Sequence, residues 1–234
     1  MTGPVELASA TWPTIEAVAG DRTLLVPVGS TEQHGPHLPL DTDTRIARAL
    51  AAGATDRLGD GVLVAPAVAY GASGEHADFT GTLSIGTDAL TTVLVELGRS
   101  ADAFRRVVFV NGHGGNADAL ASAVATLRSE SRNALAWSWS LPGADAHAGR
   151  TETSLLLAID PGVVRLEVAE AGRTEPITEL LPALRAGGVR AVSSNGVLGD
   201  PTGASAREGR DLLAYLVDGL VDALGGVGVA DTPS

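Results

Sequence analysis

Residues that could bind a metal ion are concentrated in the segment EQHGPHLPLDTD, which contains Glu32, His34 and Asp43. Glu32 and His34 are two positions apart, so an extended backbone would direct both side chains to the same side. Asp43 can close the site from the following loop. Imidazole and carboxylate ligands without a thiolate suit Zn²⁺, Mn²⁺ or Fe²⁺ and do not distinguish among them. The alternative to a metal site is an ordinary polar loop, in which Glu32 caps a backbone group and His34 is solvated.

The five histidines of the chain all lie in glycine-rich or acidic segments that follow predicted strands. Those segments are EQHGPH, GEHADF, NGHGG and DAHAGRTE, and the histidines are His34, His37, His76, His113 and His147. In open α/β sheets, ligands bind outside the carboxyl ends of the strands, where the following loops meet. We therefore expect one crevice to gather these segments.

The glycines around His113 indicate a ligand rather than a histidine in an ordinary turn. Gly112, Gly114 and Gly115 flank this residue, and glycine lets the backbone approach a ligand closely. The N–H groups near Gly114 and Gly115 could also stabilise an oxyanion. Asn116 follows directly and is predicted to be the N-cap of a helix, at the edge of the same site.

Three of the four remaining candidate side chains have two interpretations each. His37 either orients a ligand, by a hydrogen bond to it or to a backbone carbonyl, or binds metal directly. His76 either contacts substrate or has a structural role. His147 is a candidate acid/base. Glu152 is either a further metal ligand or a first-turn carboxylate that the helix dipole favours.

The basic residues narrow the chemistry further, because all 16 are arginine and the chain has neither lysine nor cysteine. Lysine Schiff bases, a P-loop, thiolate ligands and a cysteine nucleophile are therefore excluded. The net charge of −12 argues against a nucleic-acid surface, which needs clustered cations. No apolar run reaches the roughly 18 residues of a membrane helix, and no signal peptide is evident. We expect a cytoplasmic protein without a nucleic-acid or membrane partner.

The elements that must position these residues are predicted from apolar runs that alternate with amphipathic stretches. Predicted strands cover residues 23 to 29, 62 to 68, 106 to 110 and 134 to 140, and predicted helices cover about 44 to 58, 87 to 103, 116 to 130 and 205 to 224. This alternation predicts an α/β fold with a mostly parallel sheet covered on both faces. We expect a single domain over residues 1–234, with a flexible tail at 225–234.

Four segments, taken together and in order, resemble the creatininase family of metal-dependent amidohydrolases. They are VPVGSTEQHGPHLPLDTDT, YGASGEHADFTGT, VFVNGHGGN and HAGRTETS. The resemblance implies a three-layer α/β/α fold, two divalent metal ions (Zn, Fe or Mn) and hydrolysis of cyclic or linear amides. It also implies a homo-oligomer, either a hexamer or an octamer.

The same resemblance implies a set of metal ligands. Glu32 and His113 would hold one ion, His34 would hold the other, and Asp43 would bridge them. Creatininase itself has a glutamate two residues after the histidine of its NGH motif, whereas this chain has Gly115.

Two residues of the segment HAGRTETS receive roles from the resemblance. Glu152 is the candidate replacement for the ligand missing at position 115. His147 takes the acid/base role of the histidine in the HAG segment.

Further similarity, in the late segment NGVLGDPT and in HAG with ETS, points to a peptidase branch of the family. That branch acts on a short ribosomal precursor peptide whose C-terminal Val and Tyr have been decarboxylated and crosslinked. It cuts before the modified Val during redox-cofactor biosynthesis, so we expect this modified peptide as substrate. The alternatives are an amidohydrolase for a small molecule such as creatinine or a formylated amine, and a noncatalytic metal-binding scaffold protein.

Overall fold

Four parallel strands form the centre of the protein in the computed structural model, which describes residues 6–226. The strands are β1 (Thr23–Val28), β2 (Val62–Val64), β3 (Arg106–Asn111) and β4 (Ala134–Ser138), arranged in the order β2-β1-β3-β4. All four lie within the predicted runs or extend them by one residue. β1 and β3 are buried throughout because helices cover both faces of the sheet.

Strand β2 is shorter than the predicted run of residues 62 to 68. Ala65 and Val68 still donate backbone hydrogen bonds to Leu25 and Pro27 of β1, at 2.8 and 2.9 Å. Pro66 stands between them and has no N–H to contribute to a regular ladder. The segment therefore follows β1 without continuing as a strand.

Helices lie on both faces of the sheet and give the three-layer α/β/α fold that was predicted. The described helices are α1 (Trp12–Glu16), α2 (Thr42–Leu58), α3 (Gly86–Ser100), α4 (Ala117–Ser129), α5 (Arg150–Ile159), α6 (Ile177–Val192) and α7 (Ala206–Gly226). Helices α2, α5 and α7 share one apolar cluster with Leu25 and Val108, whereas α3 and α4 share the other with Leu24 and Phe109. Alternate residues of the central strands thus face opposite layers.

Most of the predicted C-terminal tail lies outside the residues that the structure describes. Positions 225 and 226 of the predicted tail belong to α7, and the rest of that tail, 227–234, is outside the range that the structure describes. Among residues 6–226, no helix combines the length and the apolar character that crossing a bilayer requires.

Helix α6 was not predicted as an element. It contains Pro182, and Gly188 interrupts it with a left-handed φ of 70°. Both residues weaken a helical pattern in the sequence, because proline lacks an N–H and glycine has a low helix propensity.

Asn116 occupies the predicted N-cap position of α4, but its side chain does not cap the helix. Asn116 precedes the helix with helical backbone angles and makes no capping bond. Its side chain instead accepts from the N–H of Ala72 at 2.9 Å and donates to Gly29 O at 3.0 Å and to Asn111 Oδ1 at 3.1 Å. The Asn116 amide therefore connects three loops at the site. Because its oxygen and nitrogen are used in these bonds, it does not cap α4.

Candidate metal centre

The loops that carry the candidate ligands leave β1 and β3 side by side. The register pairs Thr23 with Arg106 and continues to Val28 with Asn111, so both strands end at the same level. The loop after β1 carries Glu32 and His34, and the loop after β3 carries His113. The shared sheet edge therefore brings distant parts of the sequence together, as expected for an open α/β sheet.

The segment after β1 is shaped by a tight turn at Gly35, whose φ is +65°. An antiparallel bridge pairs His34 with Leu38 across this turn, and Glu32 donates its N–H to Leu40 O at 3.0 Å. Glycine tolerates the left-handed angle that the reversal needs. The turn places Glu32 and His34 against Asp43, which lies in the first turn of α2, where the helix dipole favours a carboxylate.

Glu32, Asp43 and His113 form the first of three groups of potential ligand atoms found among the described residues. His113 Nε2 lies 3.2 Å from Glu32 Oε2, and His113 Nδ1 lies 3.2 Å from Asp43 Oδ2. All three side chains are buried. Asn111 holds the His113 loop by donating to His113 O at 2.7 Å and accepting from its N–H at 3.2 Å.

His34, His147 and Glu152 form the second group. His34 Nδ1–H donates to Glu32 O at 3.1 Å, which leaves Nε2 facing Asp43 Oδ1 at 3.1 Å and Glu152 Oε2 at 3.9 Å. Asp43 therefore directs one oxygen to each of the two groups. This is the arrangement that a bridging carboxylate needs.

The third group contains Glu32, His76 and His147. His76 Nε2 lies 3.3 Å from Glu32 Oε1, and His147 Nδ1 lies 3.8 Å from the same oxygen. The rings of His76 and His147 are 4.5 Å apart between centroids. His76 also lines the cavity described below, so its position is compatible with both interpretations, contact with substrate and a structural role.

Glu32 provides the test of whether these residues fit a metal ion. Both of its oxygens are buried, and within residues 6–226 neither accepts a hydrogen bond. A buried carboxylate without a hydrogen-bond donor is costly, by several kcal/mol after relaxation of the surroundings. A divalent cation would satisfy it, and the neighbouring imidazoles and carboxylates are suitable further ligands. The donor set therefore fits a divalent ion.

The pKa values of the metal-free centre reflect the crowding of these charges. Burial raises the pKa of Glu32 to about 7. Burial disfavours the protonated form of His34 and His113, but Asp43 and Glu32 beside them outweigh it and raise both pKa values to about 10. Burial opposes the ionisation of Asp43 too, yet the adjacent His34 holds its pKa well below the ordinary value. The raised pKa values of His34 and His113 mean that protons and cations would compete for these side chains.

The position of Glu152 is compatible with both of the roles considered for it. It lies in the first turn of α5, and its Oε2 accepts from the N–H of Ala148 at 2.6 Å. Burial raises its pKa to about 7. Ala148 has a left-handed φ of 52°, and this turn places Glu152 and the preceding His147 at the centre.

His147 is held by backbone groups on two sides. Its N–H and carbonyl pair with Leu198, at 3.1 and 2.9 Å. Its ring Nε2 lies 2.8 Å from Gln33 O. Burial, followed by repulsion from His34 and His76, lowers the pKa of His147 well below the ordinary value, so the ring is neutral near neutral pH.

His37 belongs to none of the three groups. Its Nε2 contacts the Thr153 hydroxyl at 2.9 Å, and its backbone carbonyl accepts from Arg165 at 2.9 Å. Burial, followed by repulsion from His34, lowers the pKa of His37 to about 4. The geometry favours its supporting role over direct metal binding.

Position 115 has no room for a side chain. A Cβ on Gly115 would overlap Ala72 O and the His113 ring, and it would lie 2.7 Å from Glu75 Oε1. The Glu75 carboxylate is itself 3.7 Å from His113 Nε2. The glutamate of creatininase therefore does not fit this loop conformation, and a carboxylate from another segment occupies the neighbouring space.

Ser30 and Gln33 were missed from the sequence. The Ser30 hydroxyl donates to Asp43 Oδ2 at 2.7 Å, and the Gln33 amide lies between His76 and His147. Neither residue titrates or is a usual metal ligand, so residue type alone does not indicate their place at the centre. Their signal was their place among the ligands of the segment STEQH.

A cavity of about 840 Å³ opens beside both ligand groups. Its described lining includes Trp139, Leu141 and Leu181, together with Gly114 and Gly115. Five carboxylates also line it, those of Asp43, Glu75, Asp118, Asp145 and Glu152. Its size suits a ligand as large as a short peptide segment.

Known proteins resemble this chain over nearly its whole length. The family model for creatininase, described as creatinine amidohydrolase, matches residues 8–224. Mycofactocin precursor peptide peptidase of Mycolicibacterium smegmatis (strain ATCC 700084 / mc(2)155) is 58% identical, over 86% of this chain and 83% of that protein. Its counterpart in Mycobacterium tuberculosis (strain CDC 1551 / Oshkosh) is 55% identical over 92% and 89%. Creatinine amidohydrolase of Pseudomonas putida is 29% identical over 96% and 97%.

Solved structures agree with the sequence matches. The crystal structure of creatinine amidohydrolase (creatininase) superposes with a TM-score of 0.80 at 28% identity and covers 98% of this chain and 100% of that one. A manganese form of creatininase gives a TM-score of 0.79 at 28% identity, over 96% and 98%. These matches confirm the predicted fold, the resemblance and the prediction of a hydrolase. The chain belongs to the creatininase family.

Proposed function

We propose that this chain is a metal-dependent peptidase that cleaves a modified precursor peptide of the mycofactocin type. The observation that carries the proposal is the pair of ligand groups that Asp43 connects, beside a peptide-sized cavity. Identity of 58% to a mycofactocin precursor peptide peptidase, against 29% to a creatinine amidohydrolase, supports the choice of substrate.

The proposed centre holds two divalent ions. Glu32, Asp43 and His113 would hold one ion, and His34, Asp43 and Glu152 would hold the other. Related creatininase structures exist in manganese and zinc-zinc forms, so Zn²⁺ and Mn²⁺ are candidates together with Fe²⁺. When bound, such ions polarise a carbonyl and make water a nucleophile at neutral pH.

The chain's own residues provide the proton transfer. His147 is buried and neutral near neutral pH, and its Nδ1 faces the centre. We assign its Nδ1 the removal of a proton from the attacking water and the delivery of that proton to the leaving amine of the cut peptide bond. The backbone N–H groups of Gly114 and Gly115 border the cavity and are the proposed donors to the developing oxyanion.

The charge of the cavity supports a substrate without a terminal carboxylate. Three carboxylates that are not proposed metal ligands line it, those of Glu75, Asp118 and Asp145, and Arg185 is the one arginine among its described lining residues. An ordinary peptide C-terminus would be repelled, whereas a decarboxylated Val-Tyr unit would not. Trp139, Leu141 and Leu181 offer apolar surface for that unit.

A direct comparison of substrates tests the proposal. Metal-loaded protein is incubated with the crosslinked precursor peptide, with the unmodified peptide and with creatinine, and products are identified by mass spectrometry. We expect cleavage before the modified Val only, and its loss with a chelator. Turnover of creatinine without cleavage of the peptide would instead establish the small-molecule amidohydrolase.

Assembly and location remain predictions from the resemblance and the sequence. We propose a homo-oligomer, a hexamer or octamer, that works in the cytoplasm. Light scattering of the purified protein would measure the number of subunits.

A further inference from the structure

The Gln33 side chain is buried among the candidate ligands, and two backbone groups determine its orientation. Its Oε1 accepts from the N–H of Gly35 at 2.9 Å, and its Nε2 donates to Gly196 O at 3.0 Å. An amide N–H can only donate and a carbonyl can only accept, so the amide cannot be turned around. Gly196 makes the fit possible, because a Cβ there would overlap the Gln33 amide.

One hydrogen of Gln33 Nε2 remains, and two imidazole nitrogens lie within its reach. His76 Nδ1 is 2.9 Å away, and His147 Nε2 is 3.0 Å away. His147 Nε2 also lies 2.8 Å from the backbone carbonyl of Gln33, which can only accept. His147 must therefore carry its hydrogen on Nε2, and it cannot accept a second one there. The remaining amide hydrogen goes to His76 Nδ1.

These hydrogen bonds assign one tautomer to each neutral ring. His76 accepts on Nδ1, so its hydrogen is on Nε2, which lies 3.3 Å from Glu32 Oε1. His147 carries its hydrogen on Nε2, so its Nδ1 has a free lone pair at the centre, 3.8 Å from Glu32 Oε1. His76 Nε2 then carries a hydrogen on the side of Glu32, although the two atoms do not meet hydrogen-bond geometry, and it has no lone pair for a metal ion. This removes the group of Glu32, His76 and His147 as a third ion site.

We infer that Gln33 is a positioning residue that sets the tautomer of His76 through its side chain and that of His147 through its backbone carbonyl, so that His76 turns an N–H and not a lone pair toward Glu32, and His147 presents Nδ1 to the substrate. The expected effect on turnover rests on the proposed peptidase function. The assignment of the two tautomers does not depend on that function. The nitrogen that carries the proton decides which atom of a histidine can act as acid or base.

Nitrogen NMR of the histidines tests the tautomers directly. The full-length protein is labelled with ¹⁵N-histidine and loaded with Zn²⁺, and each ring is assigned by the loss of its signals in a His→Gln variant. Neutral imidazoles with the hydrogen on Nε2 are expected for both His76 and His147. A hydrogen on Nδ1 of either ring, or a zinc-bound Nε2 on His76, would overturn the inference.

Variants of Gln33 test whether its side-chain amide determines the tautomer of His76. Gln33→Met keeps the length of the side chain and removes the amide, so we expect His76 to populate both tautomers while His147, held by a backbone carbonyl, keeps Nε2–H. Turnover of the modified peptide should fall about 10- to 100-fold, the usual effect of losing an outer partner of a metal site, with KM and zinc content unchanged. Unchanged His76 tautomers in a folded Gln33→Met protein would refute the role of the side chain.

Two further variants complete the comparison. Gln33→Glu replaces the donor with an acceptor and should move the hydrogen of His76 to Nδ1; retention on Nε2 would contradict the inference. Thr153→Val is the matched control, since it removes the hydroxyl beside His37 Nε2 and should alter the His37 signals alone. The wild-type spectrum decides the tautomers even if a variant does not fold or no peptide is cleaved.

Discussion

Asp43 is the residue on which both ligand groups depend. Its two oxygens reach His34 and His113 at 3.1 and 3.2 Å, and the Ser30 hydroxyl donates to Oδ2. Each contact constrains the rotation of the carboxylate, so it is oriented before any ion binds. This preorganisation lowers the cost of binding.

The substitution Asp43→Asn tests that dependence. The amide has a similar volume, but it removes the charge and one of the two acceptor oxygens. We expect loss of metal from both groups and a fall in activity of more than about 100-fold, beyond the cost of losing an outer partner. Metal analysis beside turnover measures it, with circular dichroism as the control for folding. An active, metal-free Asp43→Asn protein would contradict the proposed centre.

His147 should behave differently from the ligands. His147→Ala removes the proposed proton donor and leaves Glu32, Asp43 and His113 in place. We expect retained metal and turnover reduced by about 10²- to 10⁴-fold, the usual contribution of acid–base catalysis. Normal turnover in this variant would remove the assignment.

Metal binding should release protons from the same side chains. His34 and His113 have pKa values of about 10 in the metal-free protein and are protonated at pH 7, whereas a ligand imidazole must be neutral. Protons therefore compete with the ion, and the apparent affinity should rise as the pH rises toward 10. Calorimetric titration at pH 7 in buffers of different ionisation enthalpy would measure the release, and heats that do not depend on the buffer would disprove it.

At the scale of elements, the short turn Gly114–Asn116 explains why glycine occupies position 115. Gly115→Ala should lower the free energy of unfolding by about 1–3 kcal/mol, because its Cβ would overlap Ala72 O. Gly114→Ala is the matched control: a Cβ there has no atom within 4 Å, so the change should stay within about 0.5 kcal/mol. Urea unfolding compares the two, and equal effects would contradict the steric explanation.

The sequence predicted the strands and helices whose apolar residues follow one regular spacing. Its predictions were wrong or missing where proline or glycine changes the backbone. The apolar runs of β1 and β3 and the amphipathic helices were recognisable, because burial on both faces of a sheet leaves a plain pattern. Helix α6 was missed at Pro182 and Gly188, and β2 was overextended past Pro66. Gln33 was missed because its role comes from hydrogen-bond geometry that joins it to Gly196, 163 positions away.

At the scale of the whole molecule, the centre is a concentration of buried charge that should depend on its ions. Chelation should lower the melting temperature, and addition of the metal should restore it. A ligand at about 100 times its Kd contributes about 2.7 kcal/mol, which corresponds to about 5–10 °C for a domain of this size. Differential scanning calorimetry measures the shift. A melting temperature that does not respond to a chelator that removes the ions would contradict the metal centre.

The matched ends of β1 and β3 also determine which parts of the protein can open. The ligand loops leave a six-residue parallel pairing buried on both faces, whereas the cavity wall at Leu181 and Leu184 belongs to α6, which Gly188 interrupts. Amide hydrogens of Val26 and Val108 should exchange with solvent at the slow, global rate, and those of α6 at faster, local rates. We therefore expect substrate to enter through fluctuations of the outer wall at α6, while the loops after β1 and β3 keep the ligand set assembled.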